Sequence, residues 1–297
     1  MRLPSARVGL FKSIGTVLEL LPEKVDNQLA TWIAGTLGRL STTARDNLRV
    51  NVAHALATSP DAVDAALLER FVDRGFLTYG QYWAESAKLP AIPTPEMARR
   101  FVIDEGLEYL TSAYELGRGV VVALPHIGSW EWGGAFLSTI GMPMTAVAEE
   151  LDPPTLFQWF RDKRESIGLH IEPLNENAGT VLLSLLRQGA VVGLLCDRDL
   201  QGNGIEVEFF GERVTMPAGP ATLAIRTGAT LLASACYTGP GAGHHAVMTP
   251  WIDTGRQGKM REDVQRVTQL VANQLEGLIR RAPEQWHVLQ PRFKEVV

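Results

Sequence analysis

The stretch Val-Val-Val-Ala-Leu-Pro-His-Ile-Gly-Ser-Trp-Glu at residues 120–131 decides the fold. Its five apolar residues, 120–124, predict a buried strand, and the spacing of apolar residues over 129–140 predicts a helix that begins near Ser129. A short loop containing His126 joins the two elements. Strand, loop and helix in this order are typical of α/β proteins, which bind ligands at the carboxyl ends of parallel strands.

The pattern of that stretch repeats along the rest of the chain. From about residue 100 onward, short apolar runs alternate with longer amphipathic segments. The predicted strands are 120–124, 145–148, 170–173, 190–196, 230–237 and 245–249. The predicted helices are 129–140, 154–167, 179–187, 217–227 and 261–281. We therefore expect an α/β fold with a mostly parallel central sheet flanked by helices.

The first 90 residues differ from this alternating pattern. Helical spacing of apolar residues predicts helices at 10–21, 26–39, 43–56 and 62–86. Prolines at 90, 93 and 95 then interrupt the helical pattern. We expect a single domain over 1–297, in which a helical lead segment, 1–90, packs on an α/β core, 100–297.

Composition and charge exclude several classes of protein. The 297 residues include 28 Lys+Arg and 33 Asp+Glu, which gives a net charge of -5. A general nucleic-acid binder usually carries a surplus of basic residues, so we expect no nucleic-acid partner. The two cysteines cannot build a disulfide framework, which agrees with a reducing cytosolic setting.

The N-terminal segment bears on membrane attachment. No stretch of the chain has the length and apolar character of a transmembrane helix, so none is expected. The amphipathic segment 10–21, with Arg2, Arg7 and Lys12 nearby, suits an anionic membrane surface. The alternative is that its apolar face packs on the core, and the sequence favours neither.

His126 and Glu131 carry the chemistry of the opening stretch. On one continuous helix they would lie roughly 140° apart, but they can meet if His126 precedes the helix and Glu131 lies in its first turn. A carboxylate partner holds a histidine in one tautomer, so that it can take a proton from a hydroxyl. Free N–H groups of Gly128 and Ser129 at the helix start would suit a developing oxyanion. The alternative is a structural histidine that caps the helix or bonds a core carbonyl.

Three blocks of sequence are similar to those of the bacterial lipid A biosynthesis lauroyl/myristoyl acyltransferases. The first is residues 124–131, where four residues separate the histidine from the acid. The second is Asp197-Arg198-Asp199-Leu200 with Val207, Phe209-Phe210-Gly211, Pro217 and Gly219-Pro220-Ala221, and the third is Pro283-Glu284-Gln285-Trp286. The resemblance covers about 40–293. Within the family, the chain resembles the actinobacterial branch, including mycobacterial members, that acylates phosphatidylinositol mannosides.

The resemblance implies an acyl-CoA-dependent O-acyltransferase. It would transfer a palmitoyl chain from palmitoyl-CoA to a mannose hydroxyl of phosphatidylinositol mannoside, without a metal or any cofactor besides this co-substrate. It would act as a peripheral protein at the cytoplasmic face of the cell membrane, because the transmembrane anchor of many relatives is not found here. The alternatives are another glycolipid acceptor, an acyl carrier protein as donor, or a non-catalytic lipid-binding protein.

The resemblance also implies roles for individual residues. His126 would be the general base, and Glu131 would orient it and stabilise the imidazolium ion. The residues expected to bind substrate are Gly128, Ser129, Glu149, Arg164, Asp197, Arg198 and Asp199. Arginine suits the phosphate groups that both substrates carry, because its fork of donors matches phosphate oxygens. The alternative for these charged residues is surface salt bridging.

Overall fold

The computed structural model describes residues 22–56 and 63–293, except 240 and 242. The N-terminal helices are α1 (Glu23–Leu40), α2 (Thr42–Leu56), α3 (Ala65–Lys88) and α4 (Thr94–Arg99). Helix α3 begins where the Asp64 carboxylate accepts a 2.8 Å hydrogen bond from the Leu67 N–H, which satisfies a free donor of the first turn. These bounds confirm the helices predicted over 26–86, whereas the helix predicted at 10–21 lies outside the described residues.

A seven-stranded sheet forms the centre of the molecule. The described strands are β1 (Phe101–Glu105), β2 (Val120–Leu124), β3 (Met144–Ala148), β4 (His170–Pro173), β5 (Val191–Leu195), β6 (Ile205–Phe209), β7 (Glu212–Met216), β8 (Thr230–Thr238) and β9 (His244–Met248). The order in the sheet is β1-β9-β8-β2-β5-β3-β4, and β6 and β7 form a separate antiparallel hairpin. Within the sheet, only β8 and β9 pair antiparallel. The mostly parallel sheet is therefore confirmed.

Helices cover both faces of this sheet. They are α5 (Leu107–Glu115), α6 (Trp130–Thr139), α7 (Pro154–Ser166), α8 (Ala178–Arg187), α9 (Gly219–Thr227) and α10 (Met260–Arg280). On β2, Val121 and Ala123 join a core cluster that includes residues of α8, α9 and α10. Val122 and Leu124 point to the other face and pack with residues of α5 and α6. Burial of both faces explains why β2 is a continuous apolar run.

Helix α3 connects the N-terminal helices to the loop that follows β2. It packs closely on α1, since a Cβ atom at Gly38 would lie only 2.4 Å from the Phe76 ring. On its other side, the Thr78 hydroxyl donates a 2.6 Å hydrogen bond to the carbonyl of Glu284. The next residue, Gln285, accepts a hydrogen bond from the N–H of Gly128. The N-terminal helices therefore lie over the same sheet edge as His126.

Three strands, β1, β6 and β7, have no counterpart in the sequence interpretation. Each contains charged residues and buries only one face, so none forms the continuous apolar run that marks the inner strands. In the hairpin, the inward side chains are Val207, Phe209, Val214 and Met216.

Among the described helices, none combines the length and the apolar character needed to cross a membrane.

Candidate active site

His126 and Asp197 meet at the carboxyl edge of the sheet. Strands β2 and β5 are parallel neighbours with Leu124 opposite Leu195, so the residues two positions further on also lie opposite each other. The Nδ1 atom of His126 lies 2.5 Å from Oδ1 of Asp197. The backbone N–H of His126 donates a second hydrogen bond, of 3.0 Å, to Oδ2. The carboxylate thus holds both the ring and the backbone of the histidine.

The carboxylate of Asp197 is fully buried and remains ionised. Burial alone would raise its pKa, but the charge of His126 and hydrogen bonds from His126 and Trp286 outweigh burial and lower the pKa to about 2. The indole Nε1–H of Trp286 donates one of them, at 2.7 Å. An ionised carboxylate only accepts hydrogen bonds, so Nδ1 of His126 carries the proton. In the neutral form of the ring, Nε2 is then the acceptor.

The ring of His126, whose side chain is 23% exposed, lines a cavity of about 170 Å³. We call this cavity the His126 compartment. Arg198 lines it beside His126, and its other lining residues include Tyr79, Tyr82, Trp83, Trp130 and His287. Within the described residues, the guanidinium of Arg198 has no hydrogen-bond or ion-pair partner. The compartment therefore combines a proton acceptor, an available cation and an aromatic wall.

Glu131 lies in the first turn of α6 and binds a different base. Its Oε1 atom accepts hydrogen bonds from Nε and Nη2 of Arg164, at 3.0 and 2.8 Å. Its Oε2 atom accepts one from the hydroxyl of Ser86. The prediction that Glu131 orients His126 is therefore corrected: its side chain is directed toward α3 and α7, whereas the His126 ring faces the end of β5.

Arg164 contacts two aromatic rings in addition to Glu131. Its guanidinium lies over the rings of Trp130 and Phe160, with Cζ 5.2 and 5.6 Å from their centroids. Burial opposes its charge, but Glu131 and Tyr82 keep its pKa above the ordinary value. The Glu131–Arg164 pair thus joins α6 to α7, and Arg164 commits two of its donors to protein rather than to a phosphate.

An apolar groove of about 1060 Å³ opens beside the His126 compartment. It runs between α1, α3 and α7, and its lining includes Leu29, Ile33, Leu37, Phe76, Trp159 and Phe160. Glu131 and Arg164 line it as well. Tyr79, Trp83 and Leu289 line both the groove and the compartment, so the two spaces adjoin.

Gly128 and Ser129 do not offer the free N–H groups that the sequence suggested. The N–H of Gly128 donates to the carbonyl of Gln285, and that of Ser129 donates to the carbonyl of Cys236, each at 3.0 Å. Gly128 has a φ of 53°, and a Cβ atom there would lie 2.0 Å from the Cys236 oxygen. The glycine permits this close backbone approach. The expectation of an oxyanion site at these two residues is corrected.

Asp199 and Glu149 also differ from their expected roles. Asp199 accepts 2.9 Å hydrogen bonds from the N–H groups of Gly202 and Gly204, so it shapes the loop that follows Arg198. Burial would raise its pKa, but these backbone donors lower it. Glu149 follows β3 as expected, yet it is exposed and lines neither the compartment nor the groove.

The family model for bacterial lipid A biosynthesis acyltransferases matches residues 5–295. The chain belongs to this family. It is similar to the phosphatidylinositol mannoside acyltransferases of Mycobacterium tuberculosis and Mycolicibacterium smegmatis, with 38% and 36% identity over 252 residues. These matches cover 84% of this chain and 77% and 79% of the two relatives. A lipid A biosynthesis acyltransferase of Haemophilus influenzae is 24% identical over 201 residues, 66% of this chain and 59% of that protein.

His287 is a residue of this acyltransferase that the sequence interpretation missed. It follows the Pro283–Trp286 block directly, which is the one signal that pointed to it. Its backbone N–H donates a 2.7 Å hydrogen bond to the carbonyl of His126, and its ring lines the compartment. Burial, together with the charge of His126, lowers its pKa to about 3. His287 is therefore neutral beside His126 at physiological pH.

Proposed function

We propose that this acyltransferase moves a palmitoyl chain from acyl-CoA to a mannose hydroxyl of phosphatidylinositol mannoside. The two mycobacterial relatives, which are named for this acceptor, support the choice of substrate. The observation that carries the mechanism is the His126–Asp197 pair, because it leaves Nε2 of His126 as a proton acceptor in an accessible compartment.

In the proposed reaction, His126 acts as general base. Its Nε2 atom takes the proton of the mannose hydroxyl while the hydroxyl oxygen attacks the thioester carbonyl. The carbon–sulfur bond then breaks, and the sulfur of coenzyme A leaves with the proton that His126 returns. Asp197 stays ionised throughout and stabilises the imidazolium ion, since its pKa is about 2. The products are the mannose ester and coenzyme A.

The apolar groove is our candidate for the acyl chain. Apolar side chains dominate its lining, and burial of methylene groups against them is favourable by about 0.8 kcal/mol each. Because Tyr79, Trp83 and Leu289 line both spaces, a chain in the groove can present its thioester to the His126 compartment. Glu131 and Arg164 then serve as a wall that joins α6 to α7 beside that chain.

Helix α1 supports membrane association. Val25, Leu29, Trp32, Ile33, Leu37 and Leu40 follow helical spacing and are each between 39% and 74% exposed. Leu29, Ile33, Leu37 and Leu40 also line the groove, so the exposed apolar face of α1 continues into it. We propose that this face lies in the cytoplasmic leaflet of the cell membrane, with the protein bound peripherally.

Substitution of the histidine tests the reaction. Purified protein is incubated with palmitoyl-CoA and phosphatidylinositol mannoside, and the ester is measured by mass spectrometry. His126→Ala should lower turnover by about a hundredfold or more. His245→Ala is the matched control, because His245 pairs with Asp104 at the surface, and it should stay near wild-type activity.

The same assay separates the alternative functions. Transfer from acyl carrier protein but not from acyl-CoA would show that the carrier protein is the donor. Transfer to another glycolipid alone would show that phosphatidylinositol mannoside is not the acceptor. Wild-type turnover by His126→Ala would contradict the mechanism. A wild-type protein that binds palmitoyl-CoA but never consumes it would identify the non-catalytic alternative.

Membrane association has its own test. Trp32→Ser should weaken sedimentation with vesicles that contain anionic phospholipids, because Trp32 is 68% exposed on the apolar face of α1. Trp251→Ser removes a tryptophan that is 46% exposed elsewhere and should leave vesicle binding unchanged. Equal binding by wild type and both variants would exclude the α1 face as the attachment surface.

A further inference from the structure

His287 is a half-buried histidine of the His126 compartment to which the proposed reaction gives no task. Its ring lies between Tyr79 and Tyr82 of α3, with its centroid 5.5 Å from the centroid of each. Its backbone N–H donates to the carbonyl of His126, so the two histidines are fixed side by side. Because both residues line the same compartment, a molecule bound there lies next to both.

The tautomer of His287 follows from its contact with Thr78. Nε2 of the ring lies 3.3 Å from the hydroxyl oxygen of Thr78. That hydroxyl has a single proton, and its two backbone neighbours are both acceptors, the carbonyls of Glu284 and Gly75 at 2.6 and 3.1 Å. Thr78 therefore accepts a hydrogen bond from His287, and Nε2 carries the ring proton. In the neutral ring, Nδ1 is then the acceptor.

Nδ1 of His287 has no hydrogen-bond partner within the part of the chain that the structure describes. His54 and His244 also have an unpaired ring nitrogen, but in each of them that nitrogen is closed off from solvent. Nδ1 of His287 is not closed off in this way. It is therefore an acceptor that a bound molecule can reach.

His287 suits hydrogen bonding rather than proton transfer. Burial, together with the charge of His126, lowers its pKa to about 3. A base this weak stays neutral while His126 takes up the proton of the substrate hydroxyl. The compartment thus offers two acceptors with different tasks: Nε2 of His126 for a proton, and Nδ1 of His287 for a hydrogen bond.

A sugar ring matches this pair of acceptors. The compartment measures about 170 Å³, against about 1060 Å³ for the groove beside it, and its wall is largely aromatic. Ligand pockets of this kind bind the body of a molecule by aromatic contacts and fix its orientation through a few polar groups. A hexose carries hydroxyl groups on neighbouring carbons, so one can face His126 while another donates to His287.

We propose that Nδ1 of His287 accepts a hydrogen bond from a second mannose hydroxyl and so selects the hydroxyl that His126 deprotonates. The assignment rests on the proposed function, in which mannose is the acceptor sugar. No bond is made or broken at His287. Its task is to bind the sugar ring in one orientation.

Two substitutions of His287 have opposite expected results. The side-chain oxygen of Asn lies near the position of Nδ1, whereas the amide of Gln extends to the position of Nε2. His287→Gln keeps a donor for Thr78 but loses the acceptor for the sugar, so KM for the glycolipid should rise roughly 3- to 10-fold, as for loss of one neutral hydrogen bond. His287→Asn keeps the acceptor and should stay within about twofold of wild type. KM for palmitoyl-CoA should change in neither variant.

His245→Gln is the matched control, because His245 pairs with Asp104 at the surface. It should leave both KM values unchanged.

Glycolipids that lack one mannose hydroxyl at a time, other than the one that is acylated, locate the contact. The wild type should use one of these deoxy acceptors roughly 3- to 10-fold less well than the parent glycolipid. His287→Gln should use that acceptor and the parent equally, because the hydrogen bond is already absent. The deoxy position that behaves in this way identifies the second hydroxyl.

Several outcomes would overturn the proposal. Wild-type kinetics of His287→Gln would do so. Loss of activity in His287→Asn but not in His287→Gln would also do so, since the bond to Thr78 would then be the one that matters. If His287→Gln does not fold, equal use of all the deoxy acceptors by the wild type overturns the proposal instead.

Failure of this role and failure of the proposed function are distinguishable. A wild type that transfers palmitoyl to phosphatidylinositol mannoside but uses every deoxy acceptor equally would keep the function and lose the role of His287. Calorimetric titration with methyl α-mannoside tests the converse. Weaker binding of this probe by His287→Gln than by wild type, in a protein that transfers no acyl group, would keep the sugar site and lose the function.

Discussion

The active-site region contains two buried carboxylates, and a comparison of them shows how the fold divides their tasks. Asp197 contacts His126, 71 residues away in sequence, across neighbouring strands. Glu131 is only five residues from His126, yet it binds Arg164 on α7 and Ser86 on α3. The partner of His126 is therefore determined by the register of β2 and β5 and not by closeness in sequence. Glu131, which is closer in sequence, joins α6 to α3 and α7 beside the groove.

The largest effect should follow from Asp197→Asn. The amide keeps the size of the side chain but can donate a hydrogen bond to Nδ1 of His126. The ring then carries its proton on Nε2, and this atom can no longer accept a proton from the hydroxyl. We expect kcat to fall by about 1000-fold. Steady-state assays with palmitoyl-CoA and phosphatidylinositol mannoside measure the loss.

Asp104→Asn is the control for that substitution, since Asp104 pairs with His245 at the surface. It should leave kcat within twofold of wild type, because an exposed ion pair contributes little to the stability of the fold. Loss of activity in both variants, or in neither, would remove the distinction between Asp197 and an ordinary surface aspartate.

Glu131→Gln should act on stability more than on chemistry. It leaves the guanidinium of Arg164, whose side chain is 18% exposed, without its carboxylate. Removal of one partner from a buried ion pair lowers the free energy of unfolding by about 3 kcal/mol, whereas the His126–Asp197 pair stays intact. We expect kcat within about tenfold of wild type. Urea unfolding and the transfer assay measure the two quantities.

Glu165→Gln is the matched control on α7, because Glu165 pairs with Arg161 and both are over a third exposed. It should change the unfolding free energy by less than about 1 kcal/mol. A Glu131→Gln protein as stable as wild type, but as inactive as Asp197→Asn, would reverse the tasks that we assign to the two carboxylates.

The acid dependence of stability sharpens the comparison with a smaller effect. The pKa of Asp197 is lowered from 3.8 to about 2, so its contribution is present above about pH 4 and is lost as the pH falls through about 2. Between those values, the wild type should lose about 2 kcal/mol more unfolding free energy than Asp197→Asn. Urea unfolding at a series of pH values measures this difference, and parallel curves would contradict the lowered pKa.

The sequence was sufficient to predict most of the sheet and its connecting helices. The inner strands are apolar runs such as Val120–Leu124, and the helices between them keep regular apolar spacing. Both signals arise within one element, so they need no knowledge of its neighbours. The polar, one-sided strands β1, β6 and β7 lack such a signal.

The candidate site could be predicted only in part, because its contacts are long-range. His126 and Arg198 were recognisable as residues that follow core strands. The partner of His126 depends on β5 lying next to β2, which neither strand reveals alone. The N–H groups of Gly128 and Ser129 are occupied by Gln285 and Cys236, more than 100 residues further along the chain.

The central claim is that Asp197, not Glu131, holds the Nδ1 proton of His126, and NMR of the imidazole ring tests it most directly. Protein with ¹⁵N-labelled histidine should show a strongly downfield proton on Nδ1 of His126, which His126→Ala identifies by its absence. The resonance should persist in Glu131→Gln and disappear in Asp197→Asn. Its loss in Glu131→Gln and survival in Asp197→Asn would contradict the account.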